Sequence, residues 1–212
     1  MKKTTVIFDM DGVIFDSEKM YADELIEFHK KYNIHISYTD CKELIGVDSR
    51  VFDDIVYSWW NNRYSQKKVK ELLNVYYSSL DRDYTKIVNP HITSLLKYLK
   101  KNHYKVALAS SSNEQIIHNA LTSVNLESYF HLITSGNRFK ESKPNPEIYL
   151  YTINKLHSLK EETIIIEDSF PGIQAAIRAG IDVIALKEHR FNIDQSQAKA
   201  IINNLLDVKL YL

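Results

Sequence analysis

With 212 residues, 44% of them hydrophobic and 25% charged, the chain can bury a sizeable core, either as one large domain or as a core with a smaller insert. Lys+Arg and Asp+Glu balance at 27 each, which removes the electrostatic reason to expect nucleic acid or an anionic membrane surface as a partner. A single cysteine, Cys41, excludes an intramolecular disulfide, and no stretch reaches the ~18 apolar residues of a membrane span, so a cytoplasmic protein is expected. Nothing near Cys41 in sequence marks an activated thiol.

Residues 4–8 are a short β-rich run ending on Asp9-Met10-Asp11-Gly12, which reads as a buried strand followed by a functional loop. From residue 17 to about residue 82 the chain becomes charged and aromatic-rich, with helical spacing over 21–28 and again at Val69, Leu72, Leu73 and Tyr76. This stretch is predicted to be a helical insert. Its Trp59-Trp60 pair is expected in the insert's core and its Lys67-Lys68-Val69-Lys70 run on a solvated helix face.

Beyond Pro90 helices and strands alternate. Helices are predicted over 92–101, 113–123, 146–156 and 171–179, each leading to a strand, over 105–109, 132–134, 163–167 and 182–186 respectively. Such alternation implies a parallel sheet covered on both faces, with ligands bound beyond the carboxyl ends of its strands.

The polar residues just after those ends are the candidates for chemistry. Asp9 and Asp11, two apart, can face one pocket if extended geometry persists, and paired like charges need a cation or protons to offset them. Ser112 with Gln115 fits a capping box that starts a helix at Asn113, leaving Ser110 and Ser111 beside free N–H groups, a natural phosphate site. Lys143 precedes Asn145, expected as an N-cap, and Pro146, expected as the first helical residue. Glu167 and Asp168 end the apolar run Thr163-Ile164-Ile165-Ile166, and oxygen-rich carboxylate sites suit Mg²⁺. Ser169-Phe170-Pro171-Gly172 then turns into a helix that Gly180 can terminate. Taken singly, each feature has an ordinary reading as a turn cap, a helix cap or a surface lysine.

In this order, Asp9-Met10-Asp11-Gly12-Val13, Ser110, Lys143 and Glu167-Asp168-Ser169 resemble the four motifs of the haloacid dehalogenase superfamily. The continuation Ile14-Phe15-Asp16-Ser17-Glu18 and the segment Pro171-Gly172-Ile173-Gln174-Ala175-Ala176 resemble its beta-phosphoglucomutase-like branch. The resemblance implies an α/β fold: a Rossmann-like parallel sheet flanked by helices, formed by residues 1–16 and 85–212, with an all-helical cap domain inserted over 17–84. It also implies that Asp9 attacks phosphorus to form an aspartyl phosphate, while Asp11 serves first as general acid and then as general base. Mg²⁺ is then held by the Asp9 carboxylate, the Asp11 carbonyl and Asp168, with Glu167 contributing. Ser110 and Lys143 grip the phosphoryl group, aided by backbone N–H groups near Met10, Asp11 and Ser111.

Within the family, Asp11 argues against a dehalogenase, which has no alkoxide to protonate. Tyr21 stands where the mutase has a cap histidine, and the nearest histidine, His29, is two helical turns away. A phosphatase of a small phosphorylated metabolite, with a sugar phosphate first among the candidates, is therefore expected. A phosphomutase is the runner-up, and a phosphate-binding regulatory protein is the alternative of a different class. Gly46-Val47-Asp48-Ser49-Arg50 resembles the mutase's cap loop but is one residue longer, making Arg50 a candidate phosphate ligand. Glu18 and Tyr21, just past the hinge, are candidate pocket residues, and a monomer is expected.

Overall fold

The computed structural model describes residues 2–47 and 49–212, with Ser49 described by its backbone alone. Six strands, β1 (Thr5–Phe8), β2 (Lys105–Ser110), β3 (Leu132–Ser135), β4 (Thr163–Glu167), β5 (Asp182–Leu186) and β6 (Ala200–Ile202), form one sheet in the order β3-β2-β1-β4-β5-β6. Every pairing is parallel. The central strands are buried on both faces, which is why they read as unbroken apolar runs and not as alternating patterns. Strand β6 went unpredicted because three residues are too few to display a period.

Eight helices accompany these strands among the described residues. Helices α1 (Ser17–Lys30), α2 (Tyr38–Cys41), α3 (Ser49–Ser58) and α4 (Gln66–Ser78) lie between β1 and β2, followed there by α5 (Ile92–Lys101). The remainder are α6 (Glu114–Ser123), α7 (Glu147–Lys155) and α8 (Phe170–Ala179). Alternate strand residues feed two cores. Val6, Phe8, Leu108 and Ile166 pack against α5 and α6 on one face of the sheet. Ile7, Ala107, Ala109 and Ile165 pack against α7 and α8 on the other. Gly180, at φ 72°, closes α8 in the left-handed conformation that a residue without a Cβ adopts at least cost.

Helices α1 to α4 build a third cluster around Leu25, Phe28, Val56, Trp60, Val69 and Leu73. Each such side chain, once buried, contributes roughly 1.5–3 kcal/mol, so the helices hold together on their own apolar faces. The Trp60 indole N–H donates to His29 Nε2 at 3.1 Å, and His29 Nδ1–H donates to the Leu25 carbonyl at 2.8 Å. Burial holds the His29 pKa below its ordinary value, so this imidazole is a neutral, doubly bonded part of the cluster. The lysine run lies on the exposed side of α4, where Lys70 pairs with Asp53 and Lys68 with Glu71. One contributor comes from outside the helical stretch: Phe191, in the loop after β5, is buried in this third cluster.

Three helix starts differ by one residue from the sequence expectation, α8 opening at Phe170 and not at 171. Helix α6 begins at Glu114, capped by Asn113, whose side chain accepts the Ile116 N–H at 2.9 Å. Ser112 is not the cap, because its hydroxyl is engaged by Asp11. Helix α7 begins at Glu147, with Pro146 just outside it and the Asn145 carboxamide accepting the Glu147 N–H at 2.9 Å.

Candidate active site

The strand order places the site. Strand β1 is flanked by β2, which the chain reaches through α1 to α5, and by β4, so the direction of winding reverses at β1/β4. Loops diverge at such a reversal and leave a crevice beyond the strand ends. Asp9 follows β1, Asp168 follows β4 and Ser110 closes β2, so that crevice receives all three.

Lys143 reaches the crevice from the loop before α7 and is buried. Its ammonium donates to Asp9 Oδ1 at 2.5 Å, Glu167 Oε1 at 2.8 Å and the Ala109 carbonyl at 3.2 Å. Burial alone would lower its pKa, but the Asp9 and Glu167 carboxylates outweigh that and hold it well above the usual lysine value. Glu167 is saturated. Oε1 also accepts the Tyr149 hydroxyl, while Oε2 accepts the N–H groups of Asp168 and Ser169 and the Ser169 hydroxyl, all within 3.0 Å. Burial works to raise its pKa, yet Lys143 and these hydrogen bonds hold it below the ordinary value. Gly172 admits this carboxylate: a Cβ there would lie 1.6 Å from Glu167 Oε1.

Asp168 is the opposite case. Its Oδ2 is buried and has no hydrogen-bond partner. It lies in a cradle left by Gly12 (φ 76°), where a Cβ would come within 1.9 Å of it. Burial first, then the neighbouring Glu167 charge, push its pKa well above the carboxylate range. Asp9, only 7% exposed, is pushed up to about 8 by burial despite Lys143. One oxygen from each of Asp9, Glu167 and Asp168 lies within 4.8 Å of the others. Three carboxylates around one ammonium leave surplus negative charge in a buried site, and an orphaned oxygen faces it. A hard divalent cation with oxygen ligands fits this donor set.

Asp11 stands apart from the trio. Its carboxylate accepts hydroxyl hydrogen bonds from Ser17 at 2.6 Å, Ser112 at 3.0 Å and Ser110 at 3.5 Å. Ser110 is fully buried and accepts the Ser112 N–H at 3.0 Å, whereas Ser111 and Ser112 are the serines that line the cavity. The Met10 side chain points into the core, and its carbonyl accepts the Ile14 and Phe15 N–H groups.

The cavity above these groups has a volume of about 290 Å³ and lies between the sheet and the helices α1 to α4. Asp9, Asp11, Lys143 and Asp168 form its floor, and Glu18 and Tyr21 line it as expected. Arg50 does not line it. This arginine faces an adjoining groove with Lys140 and Asn137, and the two spaces share only Val47 and Ser111. Asp48 of the same loop, and the Ser49 side chain, lie outside the described residues. The sequence reading missed Ser17, Tyr149, Arg82 and Phe191. Ser17 alone carried a signal, standing six residues after Asp11 where the helical insert begins.

Carboxylates and an ammonium gathered at the switch point of a doubly wound parallel sheet, under a helical roof, define an α/β enzyme. A model of the haloacid dehalogenase-like hydrolases matches residues 6–186, and the chain belongs to that family of enzymes. It is 31% identical over 191 residues to a phosphorylated carbohydrates phosphatase of Thermotoga maritima, covering 88% of this chain and 86% of that one. It is likewise 31% identical over 176 residues to a phosphoglycolate phosphatase of Aquifex aeolicus, covering 82% and 80%. The crystal structure of a beta-phosphoglucomutase from Clostridium difficile superposes with a TM-score of 0.82 at 27% identity, over 99% of this chain and 94% of that one.

Proposed function

We propose that this enzyme is a magnesium-dependent phosphatase of a small phosphorylated metabolite, a sugar phosphate or similar, working through an aspartyl phosphate on Asp9. The observation that carries the reading is the Asp9 carboxylate, held by Lys143 at the end of β1 and facing the same cavity as Asp11 and Asp168. Asp9 attacks phosphorus in line with the ester oxygen, and Asp11, oriented by Ser17 and Ser112, delivers the proton to the departing alkoxide. The same Asp11 carboxylate then takes a proton from the water that attacks the aspartyl phosphate, so inorganic phosphate leaves and Asp9 is restored. Lys143 holds the transferring oxygens with fixed positive charge, and the Ser111 hydroxyl, which lines the cavity, is placed to hydrogen-bond them.

Asp9, Asp168 and the Asp11 carbonyl would hold Mg²⁺, which when bound neutralises the carboxylates and the phosphoryl oxygens. Glu167, its oxygens already satisfied, keeps Lys143 charged and in place. We read residues 17–84 as a cap domain over a core of 1–16 and 85–212, consistent with the separate cluster formed by α1 to α4.

The likeness to a beta-phosphoglucomutase favours a phosphomutase as the second reading. Hydrolysis is preferred because Tyr21 occupies the cavity wall while His29 is locked inside the helical cluster. Supplied with beta-glucose 1-phosphate and a trace of the 1,6-bisphosphate, the enzyme should release free phosphate faster than it forms glucose 6-phosphate. Efficient isomerisation with little phosphate release would promote the mutase. In either case Asp9→Asn should fold normally and lose nearly all turnover, because an amide cannot form the acyl phosphate.

A further inference from the structure

The cavity is lined by both polar and apolar side chains, and its charges are unevenly matched. Its acidic lining residues are Asp9, Asp11, Glu18 and Asp168, and its basic ones, among the described residues, are Lys143 and Arg82. Both cations are already paired. Lys143 is held by Asp9 and Glu167. Arg82 forms a two-point fork with Glu24, Nε to Oε1 at 2.9 Å and Nη2 to Oε2 at 2.7 Å. Its guanidinium lies between the rings of Tyr21 and Tyr77, 5.2 and 5.1 Å from their centroids. A fork committed in this way offers little of the bidentate geometry by which arginine recognises a carboxylate or phosphate. Leu44, Ile45, Phe52 and Phe191 are among the apolar side chains that line the cavity.

We infer that the substrate carries a single phosphate on an uncharged alcohol whose apolar face lies against Leu44, Ile45, Phe52 and Phe191. This rests on the phosphatase reading and narrows its substrate class. A second anionic group, carboxylate or phosphate, would shed its water beside Glu18 and Asp11 with no uncommitted cation among the described residues lining the cavity to receive it, and a buried charge without a partner is strongly disfavoured. The uncharged face gains from the same wall by displacing water from apolar side chains.

Phosphonates test this without turnover, since their carbon–phosphorus bond is not cleaved by displacement at an ester oxygen. Calorimetric titration of the full chain with Mg²⁺ should show affinity rising roughly three- to fourfold per methylene from methylphosphonate to butylphosphonate, until the cavity is filled. The carboxylate 3-phosphonopropionate should bind at least about tenfold more weakly than its uncharged isostere 3-methylbutylphosphonate, the penalty expected for an unpaired charge. Phe191→Ala should lose more affinity for 3-methylbutylphosphonate than for methylphosphonate. Equal or tighter binding of 3-phosphonopropionate, or affinity flat with chain length, would overturn the inference. A protein that binds the phosphonates in the expected order but releases no phosphate from the matching esters would lose the phosphatase reading and keep this one.

Discussion

Asp168 and Glu167 are neighbours in sequence with opposite circumstances, and the difference assigns them different work. Glu167 accepts hydrogen bonds from Lys143, Tyr149, Asp168 and Ser169, so it is fixed and charged. Asp168 exposes one buried oxygen to nothing. Removing that charge should relieve the surplus when no cation is present. Asp168→Asn is therefore expected to melt about 2–4 °C above wild type in chelator, the shift that about 1 kcal/mol produces in a chain of this size. Wild type should gain thermal stability as Mg²⁺ is added, since a ligand that binds only the folded state stabilises it, whereas the variant should gain almost none. Differential scanning calorimetry with and without Mg²⁺ reads both effects. A variant that melts below wild type in chelator and still responds to Mg²⁺ would remove Asp168 from the metal site.

At the scale of elements, the segment entering α6 separates two jobs that sequence alone merges. Asn113 caps the helix and Ser112 serves Asp11. Asn113→Ala should cost about 1 kcal/mol of stability, the usual worth of an N-cap, with turnover little changed. Ser112→Ala should do the reverse, lowering turnover several-fold at nearly constant melting temperature. If Ser112→Ala melted like a lost cap, the assignment would be inverted. The loop after β5 is a second such element. Phe191 enters the helical cluster, and Arg190 pairs with Asp16 at the start of α1. Gln195, buried, donates to the carbonyls of Asp168 at 2.6 Å and Leu186 at 2.8 Å. Gln195→Ala leaves those carbonyls unsatisfied, so a loss of about 1–3 kcal/mol is expected. The Mg²⁺ concentration that gives half-maximal stabilisation should also rise, because the backbone carrying Asp168 is no longer pinned. Destabilisation with an unchanged Mg²⁺ midpoint would make Gln195 a purely structural residue.

For the whole molecule, the sheet order is what converts four separated motifs into one site. Val75, Leu159 and Leu210, the most exposed large apolar side chains among the described residues, sit on separate segments of the chain. Light scattering is accordingly expected to return the 24.7 kDa mass of one chain, and a dimer mass would contradict this.

Much of this was legible in the amino-acid order, because the relevant physics is local. Runs such as Thr163-Ile164-Ile165-Ile166 are apolar throughout since a central parallel strand meets helices on both faces, and they identify themselves without a structure. Polar residues placed just after such runs, at Asp9, Ser110 and Asp168, name the candidate site for the same reason. Tertiary structure alone decided the rest, because each remaining question is a competition between partners distant in the chain. Spacing allows either Ser112 or Asn113 to cap α6, and Asp11, about 100 residues away, claims the serine. Two adjacent acids look equivalent until Lys143 and Tyr149 satisfy one and leave the other bare. Phe191 shares its cluster with α1 to α4 across more than 100 residues, and no pattern in its own loop announces that. Local periodicity specifies which residues will be buried; only the packed chain specifies against what.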